Sequence, residues 1–165
     1  MKISIFNILF ILLLISFEGC YSFTGGSIPA HLKSLNITNV NDNSGYGNPE
    51  YKDLLTQNII DNFQRDNSFN IVETGGDSRL SVIISGIRET PVAVSPGELE
   101  TERKIEILCD VEFFDAVNQK QVLKRNFTNN EVYSVSEGQT GRDNAIKNVL
   151  TKIAEDILLA VVSGW

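Results

Sequence analysis

Ile105, Ile107, Cys109, Val111 and Phe113 occupy alternate positions, and apart from Leu108 the residues between them are charged. A period of two over about ten residues is that of a strand with one buried face, so Arg103–Asp115 is predicted as a strand. Val122–Val135 repeats the pattern with Leu123, Phe127, Tyr133 and Val135 and reads as its hairpin partner. A three-residue loop at Val117–Gln119 would set Lys124 opposite Glu112, where opposite charges pair across strands. Arg79–Arg88 is β-branched and nearly continuous, as an inner strand is. Leu32–Asn39, with Leu35 and Ile37, predicts a first strand, and Phe69–Glu73 a short one stopped by Thr74–Asp77.

Two segments follow the helical period instead. Asn48-Pro49-Glu50 offers a capping side chain, proline at the first helical position and an acid in the first turn. The apolar face Leu55, Ile59 and Phe63, flanked by Leu54 and Ile60, then carries a helix to about Asp66. Near the C-terminus, Ile146, Val149, Leu150, Ile153, Ile157 and Val161 form a buried stripe. Thr140-Gly-Arg-Asp143 before it resembles a capping box with Asp in place of Glu. Asn41–Asn48 and Glu89–Thr101 are dense in turn formers and are expected as loops.

Two helices and four or five strands in the order β-α-β-β-β-α predict an α+β fold. Both helices should cover one face of a mixed, mostly antiparallel sheet, and the first β-α-β step could be a parallel crossover. The other face is not expected to be fully polar. It would hold Leu108 and Phe114, and the second parity of the inner strand adds Ile83 and Ile87. Such a patch either binds a partner or lies under the Glu89–Thr101 loop.

The first nineteen residues stand apart. Met1 and Lys2 precede an almost wholly apolar run, Ile3–Phe17, too short for a span of about 20 residues but suited to an export signal. Phe17, Glu18 and Gly19 lead into Cys20, the arrangement on which bacterial lipoprotein processing acts, with Phe17 where Leu is usual. The expected organisation is therefore a signal peptide over 1–19, a lipidated Cys20 with a short tether over 20–30, and one domain over 31–165. Ten extended residues reach at most ~35 Å, which keeps the domain close to its membrane.

Charge and chemistry narrow the function. The net charge is −7, without any block of Lys or Arg, a poor basis for binding nucleic acid. With Cys20 acylated, Cys109 has no disulfide partner and reads as a buried, inert thiol. His31 is the sole histidine, so no histidine pair is available for a metal site, and neither a nucleophile elbow nor a phosphate loop is present. No cofactor, metal or catalytic residue is expected. A hydrolase using His31 with an acid is the weakest reading. The cations Arg88, Arg103, Lys104, Lys120, Lys124 and Arg125 fall near the two hairpins and could meet lipid phosphates.

The signal ending in "GCYSFTGGSIP", the strand "LKSLNITNV", the Asn- and Gly-rich loop and the helix "PEYKDLLTQNIIDNF" resemble the LptE family of lipopolysaccharide-assembly lipoproteins, closest to its short Bacteroidetes-type version. The closing "GRDNAIKNVLTKIAEDILLAVVSGW" is similar to that family's last helix. The resemblance implies a non-enzymatic outer-membrane lipoprotein, anchored on the periplasmic face, that plugs and helps assemble an LptD-like β-barrel and contacts lipopolysaccharide. By location alone, Arg88, Arg103 and Lys104 are the candidate head-group contacts. The competing reading is an outer-membrane lipoprotein that regulates a periplasmic or inner-membrane cell-wall enzyme, for which the tether is short.

Overall fold

The structure, a computed structural model, describes residues 28–38, 40–92 and 100–165. Cys20, the signal and most of the tether lie outside these residues, as does the middle of the Glu89–Thr101 segment. The elements run β1 (Ser34–Ile37), β2 (Asn41–Asp42), α1 (Pro49–Asp66), β3 (Asn70–Val72), β4 (Ser78–Pro91), β5 (Glu102–Asp115), β6 (Lys120–Ser134), a 3-10 turn (Val135–Glu137) and α2 (Gly138–Ser163). This is the expected α+β class: two helices and a six-stranded mixed sheet in the order β3-β1-β4-β5-β6, with β2 also paired to β4.

β1 pairs in parallel with both β3 and β4, while β4, β5 and β6 form an antiparallel meander. The short β2 departs from expectation. Asn41 and Asp42, assigned by composition to a loop, align in parallel with Ile83 and Ile84. At the start of the sheet, Asp77 Oδ2 accepts from the amides of Lys33 and Ser34, each at 3.0 Å, and from Ser34 Oγ at 2.9 Å. Those bonds lie across the mouth of the β3–β4 turn, where Gly76 sits at φ +103°, a conformation glycine tolerates and a side chain does not.

The helix start at Asn48 forms as predicted, its side chain accepting from the Glu50 amide at 3.0 Å. α1 buries Tyr51, Leu55, Ile59 and Phe63, and α2 buries the whole expected stripe from Ile146 to Val161. Their buried faces join Leu80, Val82, Ile84, Ile105, Ile107, Val111 and Phe113 of the sheet in one hydrophobic core. Each fully buried aliphatic or aromatic side chain contributes about 1.5–3 kcal/mol relative to exposure. The capping box does not form. α2 begins earlier, at Gly138, after Glu137, which makes no side-chain capping bond, so Thr140 lies inside the first turn.

Two bulges decide which side chains face the helices. Ile84 opposes Cys109 but Gly86 opposes Leu108, leaving Ser85 as the extra residue. Before it, Leu80, Val82 and Ile84 face inward; after it, Ile87 and Glu89 do. Ile87, expected on the outer face, is therefore in the core. The second bulge lies at Val122, because Phe113 opposes Leu123 and Phe114 opposes Gln121. It offsets a turn one residue longer than expected, Ala116–Gln119, so Lys124 still lands opposite Glu112, with Nζ 2.6 Å from Oε1. Val135, expected on the buried face of this strand, leaves it for the 3-10 turn and is exposed. β4 likewise runs on through Glu89–Pro91, where a loop was expected.

Candidate functional site

The three candidate cations are divided between the two faces of the sheet. Arg88 opposes Glu106, and Lys104 opposes Thr90, on the face away from the helices. Arg88 Nη1 and Lys104 Nζ stand 3.9 and 4.0 Å from the two oxygens of the same Glu106 carboxylate. Arg88 is 65% exposed and Lys104 40%. Two cations sharing one anion at such lengths leave a surplus positive charge in solvent, able to turn towards a phosphate. The same face carries Ile83, Leu108 and Phe114, half-buried, with the Arg79 guanidinium 5.3 Å over the Phe114 ring. This outer face is mixed in character rather than a broad apolar patch.

Arg103 lies on the helix side. Its Nη1 donates to Glu89 Oε1 at 2.9 Å, and its Nε donates to Glu100. Tyr133 donates to the same Glu89 oxygen at 2.6 Å, while Arg142 Nε, from the second turn of α2, donates to Glu89 Oε2 at 2.9 Å. Burial works against ionising Glu89, yet these bonds from Tyr133 and Arg103 outweigh it and hold the carboxyl below the usual range. Burial and the Glu89 charge push the Tyr133 phenol up to about 12. The hydrogen bonds from Arg103 to Glu100 and Glu89 raise its guanidinium further, so it is permanently charged. The Arg142 guanidinium also stacks 4.9 Å over Tyr46. An open cleft of about 420 Å³ is lined by Glu89, Arg103, Tyr133, Gln139 and Arg142.

The sequence pattern does not pair Glu89 with Arg142, because Glu89 falls in the segment that reads as a loop. Gly86 carries the missed signal: glycine within a strand pattern often marks a bulge. The bulge beside it is what turns Glu89 inward.

His31 sits just before β1, its Nε2 2.7 Å from Asp115 Oδ2 and 2.9 Å from Asn118 Nδ2. Asp115 Oδ1 also accepts from the amides of Val117 and Asn118. Burial opposes its ionisation, but the Asn118 amide, His31 and the Asn118 side chain prevail and lower its pKa to about 2. His31 thus fastens the segment before β1 to the β5–β6 turn. Cys109 is buried as expected, and desolvation pushes its thiol up to about 12, which makes it inert at neutral pH. Among the described residues no group of His, Cys, Asp or Glu is arranged to hold a metal ion, and no helix is long and apolar enough to cross a membrane.

The LptE profile, described as lipopolysaccharide-assembly, matches residues 32–161. The chain belongs to the LptE family. Membership makes it a lipopolysaccharide-assembly protein of a non-enzymatic lipoprotein family. Solved structures share this fold at low identity. Rare lipoprotein B from Shewanella oneidensis is 14% identical with a TM-score of 0.58, over 79% of this chain and 95% of that one. A minor lipoprotein from Acinetobacter baumannii is 12% identical with a TM-score of 0.54, over 79% and 93%. A hypothetical protein from Chlamydia trachomatis is 8% identical with a TM-score of 0.58, over 79% and 95%. No curated protein sequence matches the chain significantly.

Proposed function

We propose that this LptE-family chain is anchored through an acylated Cys20 to the periplasmic face of the outer membrane. There it plugs and helps assemble an LptD-like β-barrel and contacts lipopolysaccharide in transit. One observation supports the contact most directly: Arg88 and Lys104 share the single carboxylate of Glu106 on the solvent-facing side of the sheet. A phosphate approaching that face gains two cations that already stand together, with half-buried Ile83 and Leu108 on the same surface. Arg103, on the other face, is the cation of the helix-side cleft, where Glu89 and Glu100 hold it.

The test is isolation of the complex from outer membranes carrying the full chain or the Arg88→Glu, Lys104→Glu double variant. The barrel is expected to co-purify with both, while bound lipopolysaccharide falls about tenfold, a loss of ~1.4 kcal/mol, in the variant. Undiminished lipopolysaccharide removes Arg88 and Lys104 from the reading, and absence of the barrel from both removes the partnership. Intact mass of the membrane-bound protein reports the diacylglyceryl group on Cys20, which Cys20→Ser must lack.

A further inference from the structure

β6 is the last strand of the described sheet, and β5 satisfies only one of its edges. The direction of its amides can be read from two bonds. The Val135 amide, just past the strand, donates across to the Thr101 carbonyl, whereas the Asn130 amide turns away and donates to the Asn129 side chain at 2.9 Å. Backbone groups alternate in direction along an antiparallel strand. From Leu123 onward, past the bulge, odd-numbered amides of β6 therefore face β5, and even-numbered ones face the free edge. Asn129 closes that edge at Asn130, and it is itself held by Asp156 at 3.2 Å. The bulge at Val122 interrupts it at the other end. Between them, Leu123–Thr128 presents the amides and carbonyls of Lys124, Asn126 and Thr128 with no partner among the described residues.

An open groove of about 500 Å³ runs beside this edge, between β6 and the C-terminal half of α2, lined by Arg125, Phe127, Asp156, Leu159 and Ala160. Leu159 is 60% exposed there, the largest value among the exposed large hydrophobic residues. From Lys120 to Asn130 the strand carries Lys120, Lys124 and Arg125 and no acid, although the chain as a whole is acidic. Lys124 is matched by Glu112, and among the described residues neither Lys120 nor Arg125 forms an ion pair.

We propose that the β6 edge from Leu123 to Thr128 accepts an extended acidic strand of a partner protein. The added strand takes the free amides of Asn126 and Thr128, sets a carboxylate on Arg125, whose guanidinium lies 4.9 Å over the buried Phe127 ring, and seats an apolar side chain against Leu159 and Ala160. Main-chain bonds supply affinity and alternate side chains supply selectivity, while the cations discourage uncontrolled pairing of identical edges. The inference is independent of the lipid contact assigned to Arg88 and Lys104.

Backbone amide exchange in the full mature chain tests it, with a blocked hexapeptide alternating glutamate and valine as probe and its lysine–valine counterpart as control. The acidic peptide is expected to slow exchange at Asn126 and Thr128 by about tenfold and to leave Phe127, already bonded to β5, unchanged. Thr128→Pro removes an outward amide without touching the β5 ladder, a place where an edge strand tolerates proline, and should abolish the protection of Asn126. Arg125→Glu, which alters no backbone group, should reverse the order of the two peptides. Unchanged exchange at Asn126 and Thr128, or equal protection by both peptides, overturns the proposal.

Discussion

Glu89 and Arg142 lie 53 residues apart in sequence, yet Arg142 Nε donates to Glu89 Oε2 at 2.9 Å, tying the second turn of α2 to the far end of β4. The same carboxylate holds β5 through Arg103 and β6 through Tyr133. Glu89→Ala would leave two guanidinium groups and a phenol facing a gap. A charged hydrogen bond is worth about 1.5–3 kcal/mol, and partial solvation of Arg103 brings the expected loss to the lower part of that range. The sign with pH follows from the depressed carboxyl: its stabilisation is present above the unfolded value of about 4.3 and is lost as pH falls through the lower folded value. Urea melts at neutral and acidic pH should show Glu89→Gln less stable at neutral pH and with a flatter acid limb.

This clasp also shows what could be read from the sequence and what could not. The alternation of β5, the stripe of α2 and the Asn48 cap are local patterns, each carried by a few adjacent residues, and all three form as expected. The bulges at Ser85 and Val122 are set by how each strand pairs with its neighbour, so a strict period of two misassigns Ile87 and overlooks Glu89. The Lys124–Glu112 pair was placed correctly although the turn is one residue longer than expected, because the bulge restores the register. β2 owes its structure to β4 and not to its own turn-forming composition. Arg88, Arg103 and Lys104 are neighbours in or across the strands, but strand alternation sends Arg103 to the opposite face.

Asp115 should govern a second part of the acid profile. Its pKa is about 2 in the folded chain against about 3.9 when unfolded. Its contribution is therefore complete above that unfolded value and disappears as pH falls towards 2. Asp115→Asn should lower stability at neutral pH and remove this portion of the acid limb. His31→Ala should weaken the attachment of the first residues, read as faster amide exchange at Leu32 and Lys33. An unchanged acid limb in Asp115→Asn would show that the clasp around this carboxylate does not form.

Phe113 joins the sheet to the segments just past the C-terminal ends of α1 and α2. Its ring lies 6.0 Å from Phe69 and 5.9 Å, edge to face, from Trp165, whose Nε1 donates to the Val161 carbonyl at 2.8 Å. Phe113→Ala empties a fully buried position and should cost about 3–5 kcal/mol. Trp165 is the sole tryptophan, so its emission reports this contact directly. A red shift in the folded variant, together with the lowered urea midpoint, is the expected result.

The two helix starts differ in a way that substitution can separate. Asn48 accepts from the Glu50 amide at the start of α1, and removing such a cap costs about 1 kcal/mol. Thr140 has the sequence context of a cap but lies within α2, exposed, with the helix already begun at Gly138. Asn48→Ala should thus lower stability by about 1 kcal/mol, while Thr140→Ala should stay within about 0.5 kcal/mol of the unaltered chain. Equal losses from the two would mean that α2 starts at Gly141 with Thr140 as its cap, without the turn Gly138–Gly141 described for it.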